Sequence, residues 1–309
     1  MDLITAVEKI RSMEVRGASR IAKFAVEVLK EHALKTRENF DREMQKASQL
    51  LLNSRPTAVS LYNAINYVMR YSGESVEEKR ENLIKRAEEF ISWIETAQKK
   101  IAEIGEKRIK DGSTVLTHCN SSAAIAVIKR AHEVGKRLEV FATESRPRWQ
   151  GYITARQLKE AGMEVTVIVD SAVRFFMGEV DCVIVGADTI TANGALINKI
   201  GTSQIALCAK ESRVPFMVAA ETYKFSPRTL AGELVVIEER SMDEVLPQEL
   251  IKLGVKAKNP AFDVTPRSYI DIIITEIGAI PPEMAYLVIK ERLGYEELKE
   301  DEIRVSEID

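Results

Sequence analysis

Cysteine is scarce in this sequence: three residues in 309, Cys119, Cys182 and Cys208. They form neither a C-x-x-C pair nor an even set, which excludes a disulfide framework and points to a reducing, cytoplasmic compartment. Apolar runs long enough to span a bilayer are missing. The segment from Met1 to Lys9 is charged too early to serve as a secretory signal, so no membrane role is expected. An excess of positive charge is missing as well. Lys and Arg number 44 against 47 Asp and Glu, a formal net charge of -3, which argues against nucleic acid as the main partner. G-x-G-x-x-G and G-x-x-x-x-G-K-[ST] are both absent, which removes dinucleotide and nucleoside-triphosphate chemistry from the expectations. No group of residues suggests a metal site.

The length exceeds what a single core usually serves, so two domains are expected. Residues 1–108 read as helices throughout, punctuated by Pro56 and Gly73. Leu83, Ala87, Phe90, Ile94, Ala97, Ile101 and Ile104 repeat at four and three residues, the seam of a helix packed lengthwise on another. Two junctions interrupt the helices. In Arg16-Gly17-Ala18-Ser19, backbone N–H groups, a hydroxyl and a guanidinium can converge on one anion. Ser54, Arg55, Pro56, Thr57 and Ala58 repeat the arrangement, with Pro56 suited to the first turn of the following helix. Each junction alone is more often an ordinary helix boundary with a surface arginine than a phosphate site; two in one helical domain are also compatible with a phosphate-binding wall.

From residue 112 onward, strand and helix alternate. Strands are expected at 113–118, 138–142, 164–169, 181–186, 215–219 and 271–275, which implies βαβ units in a doubly wound, mostly parallel sheet and hence an α/β fold. The central stretch is the strand through Val115, Leu116 and Thr117. It turns at His118 and Cys119 into a helix capped by Ser121 or Ser122 and running to about Val134. A cysteine near the positive end of a helix dipole and beside a histidine is expected to favour the thiolate, the form that acts as base or nucleophile. The alternative is a buried structural cysteine.

Asp188 ends a second strand after Gly186 and Ala187. If the two strands are neighbours, thiol and carboxyl share one crevice, and poor solvation raises the carboxyl's proton affinity. Otherwise Asp188 simply caps a turn. Asn193-Gly194 marks a turn in either case. Asn198 and Lys199 are expected to begin the next helix, where they bind substrate or are solvated. The loop from Thr143 to Gly151, the pair Asp170-Ser171 and the run Glu221-Thr222-Tyr223-Lys224 also follow strands, and Lys224 can neutralise a phosphate. Cys182 and Cys208 fall in apolar patterns and are assigned to packing.

These residues resemble the sugar-phosphate isomerases related to the regulatory subunits of translation initiation factor two B. The likeness rests on Arg16-Gly17-Ala18, Ser54 to Ala58, His118 to Ser121, Glu144 to Gly151, Gly186-Ala187-Asp188, Ala192 to Gly194, Asn198 to Thr202 and Asn259 to Pro266. Within that superfamily the chain looks most like the archaeal ribose-1,5-bisphosphate isomerases. Methylthioribose-1-phosphate isomerases usually carry Arg-Gly-Ala-Pro and His-Cys-Asn-Thr-Gly, where this chain has Ser19 and Ser121-Ser122. Non-catalytic initiation-factor subunits typically lack the cysteine and aspartate pair.

The resemblance implies an N-terminal all-helical domain, residues 1–108, followed by a Rossmann-like catalytic domain, residues 109–309. It implies a sugar-bisphosphate substrate, no metal or organic cofactor, activation by AMP, and a homo-oligomer, a dimer or a hexamer. Asp188 is expected to protonate the ring oxygen, and Cys119 as thiolate to remove the C2 proton. Arg16, Gly17, Ala18, Ser19, Arg55, Ser121, Ser122, Ala123, Asn198, Lys199 and Lys224 are the substrate-binding residues the likeness implies. The acidic tail, Glu296 to Asp309, is expected to be partly disordered.

Overall fold

The computed structural model describes residues 2–12, 14–15, 17–231 and 235–293, so Arg16 and the acidic tail lie outside the described residues. The chain divides into two compact units: Met1–Ala97 with Tyr223–Phe225, and Gln98–Thr222 with Ser226–Asp309.

The first unit is helical. Its elements are α1 (Leu3–Arg11), α2 (Ala18–Lys35), α3 (Phe40–Ser54), α4 (Val59–Met69) and α5 (Val76–Gly105) as far as Ala97. Helix α1 starts at Asp2, whose carboxylate accepts the Thr5 N–H at 2.9 Å and so occupies one of the unpaired donors of the first turn. Helix α2 starts at Gly17, where φ is 91°. This is a left-side conformation that strains any residue with a Cβ.

On α5 the predicted seam is buried: Leu83, Ala87, Phe90, Ala97 and Ile101 have no exposed surface. Around Phe90 the rings of Tyr67, Trp93 and Tyr223 stack edge-on or tilted, with centroids 5.4–5.6 Å away. The expected place of Pro56 is corrected. Helix α4 begins at Val59 with Ala58 as its N-cap, so Pro56 sits in the preceding turn rather than in the helix.

The second unit holds a seven-stranded sheet. Its strands are β1 (Thr114–Thr117), β2 (Glu139–Thr143), β3 (Glu164–Ile168), β4 (Cys182–Val185), β7 (Phe216–Ala219), β9 (Ile272–Thr275) and β10 (Gly278–Ile280), in the order β10-β9-β7-β4-β1-β2-β3. Every pairing is parallel except β9 with β10. Strands β4 and β7 are buried along their whole length, which is why they read as unbroken apolar runs instead of alternating ones.

A second, antiparallel sheet joins β5 (Thr189–Ile190), β6 (Leu196–Lys199) and β8 (Phe262–Thr265). Asn198 and Lys199, expected to open a helix, instead end β6, and the helix α9 (Thr202–Ser212) starts three residues past Lys199. Their polar side chains hide a strand because tertiary partners satisfy them. Asn198 donates to Thr202 Oγ1 at 3.1 Å, and Lys199 Nζ to the Ala261 carbonyl at 3.0 Å.

From β1 the chain moves outward through β2 to β3, then crosses back to the other side of β1 to lay down β4, β7 and β9. The strand order therefore reverses between β1 and β4. In open α/β sheets this switch point is where a crevice opens beyond the carboxyl ends of the strands.

Candidate active site

Strands β1 and β4 pair directly, Val115 opposite Cys182 and Leu116 opposite Val183. Cys119 follows the end of β1 and Asp188 the end of β4, so the condition set by the sequence, that the two strands be neighbours, is met. The Asp188 and Asp170 carboxylates and the Lys199 ammonium all act electrostatically on the Cys119 thiol. Lys199 is 6% exposed, so its charge works through protein rather than water.

Cys119 is half-buried, and its surroundings favour the thiol where the sequence led to a thiolate. Burial pushes the Cys119 thiol up to about 11; Lys199 and the Asn120 N–H pull it down, and Asp188 and Asp170 push it up. Loss of hydration destabilises the anion more than the nearby ammonium and amide stabilise it. His118 gives no help, because burial drives its own proton affinity down and keeps the ring neutral. Its Nε2 faces the Ile200 carbonyl at 2.9 Å, so the ring proton sits there, and Nδ1 accepts from Thr143 Oγ1 at 2.5 Å. The imidazole is a strut between the end of β2 and the turn after β6.

The cysteine backbone is held from both sides. Cys119 has φ of 66°, a left-handed conformation that costs a residue with a Cβ roughly 1–2 kcal/mol. Its N–H donates to Ser145 Oγ at 2.8 Å, and its carbonyl accepts from Thr154 Oγ1 at 2.7 Å. Two neutral hydrogen bonds at about 1 kcal/mol each are enough to offset the conformational cost. Ser145 is anchored by the Asp170 carboxylate, which accepts the Ser145 and Arg146 N–H groups at 2.8 and 2.7 Å.

Glycines make these approaches possible. At Gly151, in the first turn of α7 (Gln150–Glu160), a Cβ would lie 1.7 Å from the Thr143 carbonyl oxygen, so only glycine lets α7 come close enough for Thr154 to reach Cys119. At Gly186 a Cβ would lie 2.0 Å from Ser121 Oγ. Ser121 is the N-cap of α6 (Ser122–Glu133) and accepts the Ala124 N–H at 3.3 Å. The end of β4 and the start of α6 therefore touch at a point with no room for a side chain.

Ser121, Ser122 and Ala123 open α6 as expected. Ala123 is fully buried and its side chain is a methyl, so only its backbone can offer a ligand a polar group. Asp263, which carried no expected role, accepts the Gly201 N–H at 2.8 Å and the Ser203 N–H at 3.1 Å and closes the start of α9. Burial pushes its carboxyl up to about 6.

The first unit carries the remaining candidates. Tyr223 OH donates to Ser19 Oγ at 2.9 Å, and Ser60 Oγ to the Ala18 carbonyl at 2.9 Å. Asn63 Nδ2 donates to the Tyr223 and Phe225 carbonyls, each at 2.8 Å, and pins the segment that bears Lys224. Lys224 is buried, not the surface lysine that a lone residue in a loop suggests. Arg55 is half-buried at the C-cap of α3. Thr154 and Asn63 were missed in the sequence. A threonine and an asparagine inside helices give no signal until their partners, 35 and 160 or more residues away, are known.

Residues 14–282 match the model of the initiation factor 2 subunit family. A ribose 1,5-bisphosphate isomerase of Archaeoglobus fulgidus is 75% identical over 306 residues, which cover 99% of this chain and 98% of that protein. One of Methanocaldococcus jannaschii is 55% identical over 300 residues, 96% of this chain and 97% of the relative. Among solved structures, a translation initiation factor eIF-2B of Pyrococcus horikoshii superposes with a TM-score of 0.80 at 34% identity, covering 91% of this chain and 97% of that one. With a switch-point cysteine and aspartate of the expected kind, and a likeness that runs from end to end, the chain belongs to the initiation factor 2 subunit family, in the group of the archaeal ribose 1,5-bisphosphate isomerases.

Proposed function

We propose that this chain isomerises ribose 1,5-bisphosphate to ribulose 1,5-bisphosphate, in the cytoplasm and without a cofactor, with Asp188 as acid and Cys119 as base. The observation that supports this most is the parallel pairing of β1 with β4, from whose ends the loops of Cys119 and Asp188 leave side by side. A ribose phosphorylated on its anomeric carbon cannot open spontaneously, so cleavage of the ring C–O bond needs a proton donor at the ring oxygen. Asp188 supplies that proton. Cys119 takes the proton from C2, an enol phosphate forms, and return of that proton to C1, with transfer of the C2 hydroxyl proton to the Asp188 carboxylate, gives the ketose and restores both groups.

A thiol that titrates near 11 is ionised in about one molecule in ten thousand at pH 7. The base must therefore be generated against its burial, and the Lys199 ammonium is the group that favours it. Ser121, Ser122, Ala123, Asn198, Lys199, Arg16, Gly17, Ala18, Ser19, Arg55 and Lys224 are the proposed substrate contacts. The same reading carries a homo-oligomer, a dimer or hexamer, and activation by AMP, to be checked by sedimentation and by assay with and without the nucleotide.

The decisive test is incubation of the purified protein with ribose 1,5-bisphosphate and, separately, methylthioribose 1-phosphate. Ketose formed from the bisphosphate, and lost in both Cys119→Ser and Asp188→Asn, is the expected result. Preference for the thio-sugar, or no turnover of either, overturns the proposal.

A further inference from the structure

The hydrogen bonds around Cys119 form a closed set. Both polar groups of its peptide, N–H and C=O, end on side-chain hydroxyls, at 2.8 Å from Ser145 and 2.7 Å from Thr154. Both of those residues have no exposed surface. Neither hydroxyl is placed to meet solvent, and each comes from a different element, the loop after β2 and the body of α7. Thr154 has a second task. Its Oγ1 accepts from Asn120 Nδ2 at 3.0 Å, so a single hydroxyl fixes the cysteine carbonyl and the side chain of the next residue. Ser145, itself at φ 58°, joins the His118 ring and Thr143 at 3.3 and 3.2 Å.

A left-handed residue has one direction in which its Cβ can point, and here two buried donors and acceptors impose it. We propose that Thr154 and Ser145 are positioning residues for the isomerisation: they hold the Cys119 backbone in its left-handed conformation and thereby aim Sγ, without touching substrate themselves. This rests on the reading of Cys119 as the base. Proton transfer from carbon depends steeply on where the base stands, and a misplacement of about 1 Å can cost about a hundredfold in rate. Substrate affinity, set by other residues, is not expected to follow.

The test uses the full chain with Thr154→Val, which keeps the shape and removes the hydroxyl, Thr154→Ser, which restores it, and Ser145→Ala. Steady-state rates, the pH dependence of Cys119 alkylation by iodoacetamide and the thermal midpoint are measured for each. Expected are a fall in kcat of about ten- to a hundredfold in Thr154→Val with KM within about threefold, an altered alkylation profile, and recovery of most of the rate in Thr154→Ser. Ser145→Ala should behave like Thr154→Val.

Normal kcat in a folded Thr154→Val overturns the proposal. So does a loss in Thr154→Val that Thr154→Ser does not recover. If Thr154→Val fails to fold, Ser145→Ala and Thr154→Ser decide: normal kcat in Ser145→Ala, or a tenfold loss in Thr154→Ser, overturns it. Cys119→Ser separates the two readings. Activity that survives in Cys119→Ser defeats the base assignment itself, whereas its loss beside an unchanged Thr154→Val defeats only the positioning role.

Discussion

At the scale of the residue, Cys119 shows how local sequence and tertiary environment can pull a group in opposite directions. The histidine before it and the helix after it both suggest an anion, yet burial pushes the thiol up to about 11. Iodoacetamide reacts with the thiolate alone, so alkylation of Cys119 should speed up with pH, about tenfold per unit, across the range from about 7 to 9. An alkylation rate that is flat there would show that its surroundings do not hold the thiol protonated. Removing the ammonium in Lys199→Met should push the thiol higher still and slow alkylation of Cys119 at pH 9, which peptide mass spectrometry after timed labelling will measure.

Asp263 offers a stability test. Its folded-state value of about 6 lies above the ordinary 3.8, so the folded protein binds this proton more tightly than the unfolded chain does. Its contribution is therefore fully present below about pH 4 and is lost as pH rises through about 6. In urea titrations between those values, Asp263→Asn should lack that slope.

At the scale of the element, the parallel strands were legible because strands covered on both faces are written as apolar runs bounded by turns, as in Val183, Ile184 and Val185. The small sheet was not. Strand β5 has two residues, and β6 carries an asparagine and a lysine whose burial only their partners make tolerable. Glycines at the ends of elements could be seen, but what they approach could not. Gly186→Ala would bring a Cβ to 2.0 Å from Ser121 Oγ, and relief requires that the N-cap of α6 move. We expect a loss of about 1–3 kcal/mol in chemical denaturation together with reduced turnover. Gly151→Ala meets a backbone oxygen, which cannot rotate away, and should be the more damaging of the two.

At the scale of the whole molecule, the first unit is not a single stretch of chain. Residues Tyr223–Phe225, far on in the sequence, belong to it. Asn63 binds two carbonyls of that segment, and Tyr223 packs 5.6 Å from Phe90 and from Trp93 with no exposed surface. Asn63→Ala strands two buried carbonyls and should cost about 2–4 kcal/mol, read as a lowered midpoint in denaturant with an unchanged slope. An unchanged midpoint would mean that other contacts suffice to hold the segment.

By itself the sequence determined the helical beginning, the alternation that makes a doubly wound sheet, and the identities of the thiol, carboxyl and cationic candidates. These are recorded in local periodicity and in residue chemistry, which survive without knowledge of distant neighbours. Only the tertiary structure decided that β1 lies beside β4, that Cys119 is a half-buried thiol whose backbone is held by Ser145 and Thr154, and that Lys199 ends a strand. Each of these depends on groups 26 to 67 residues apart in the chain, or on the exclusion of water. Proton affinity and backbone strain respond to what surrounds a group in space, and a linear order of residues does not record it.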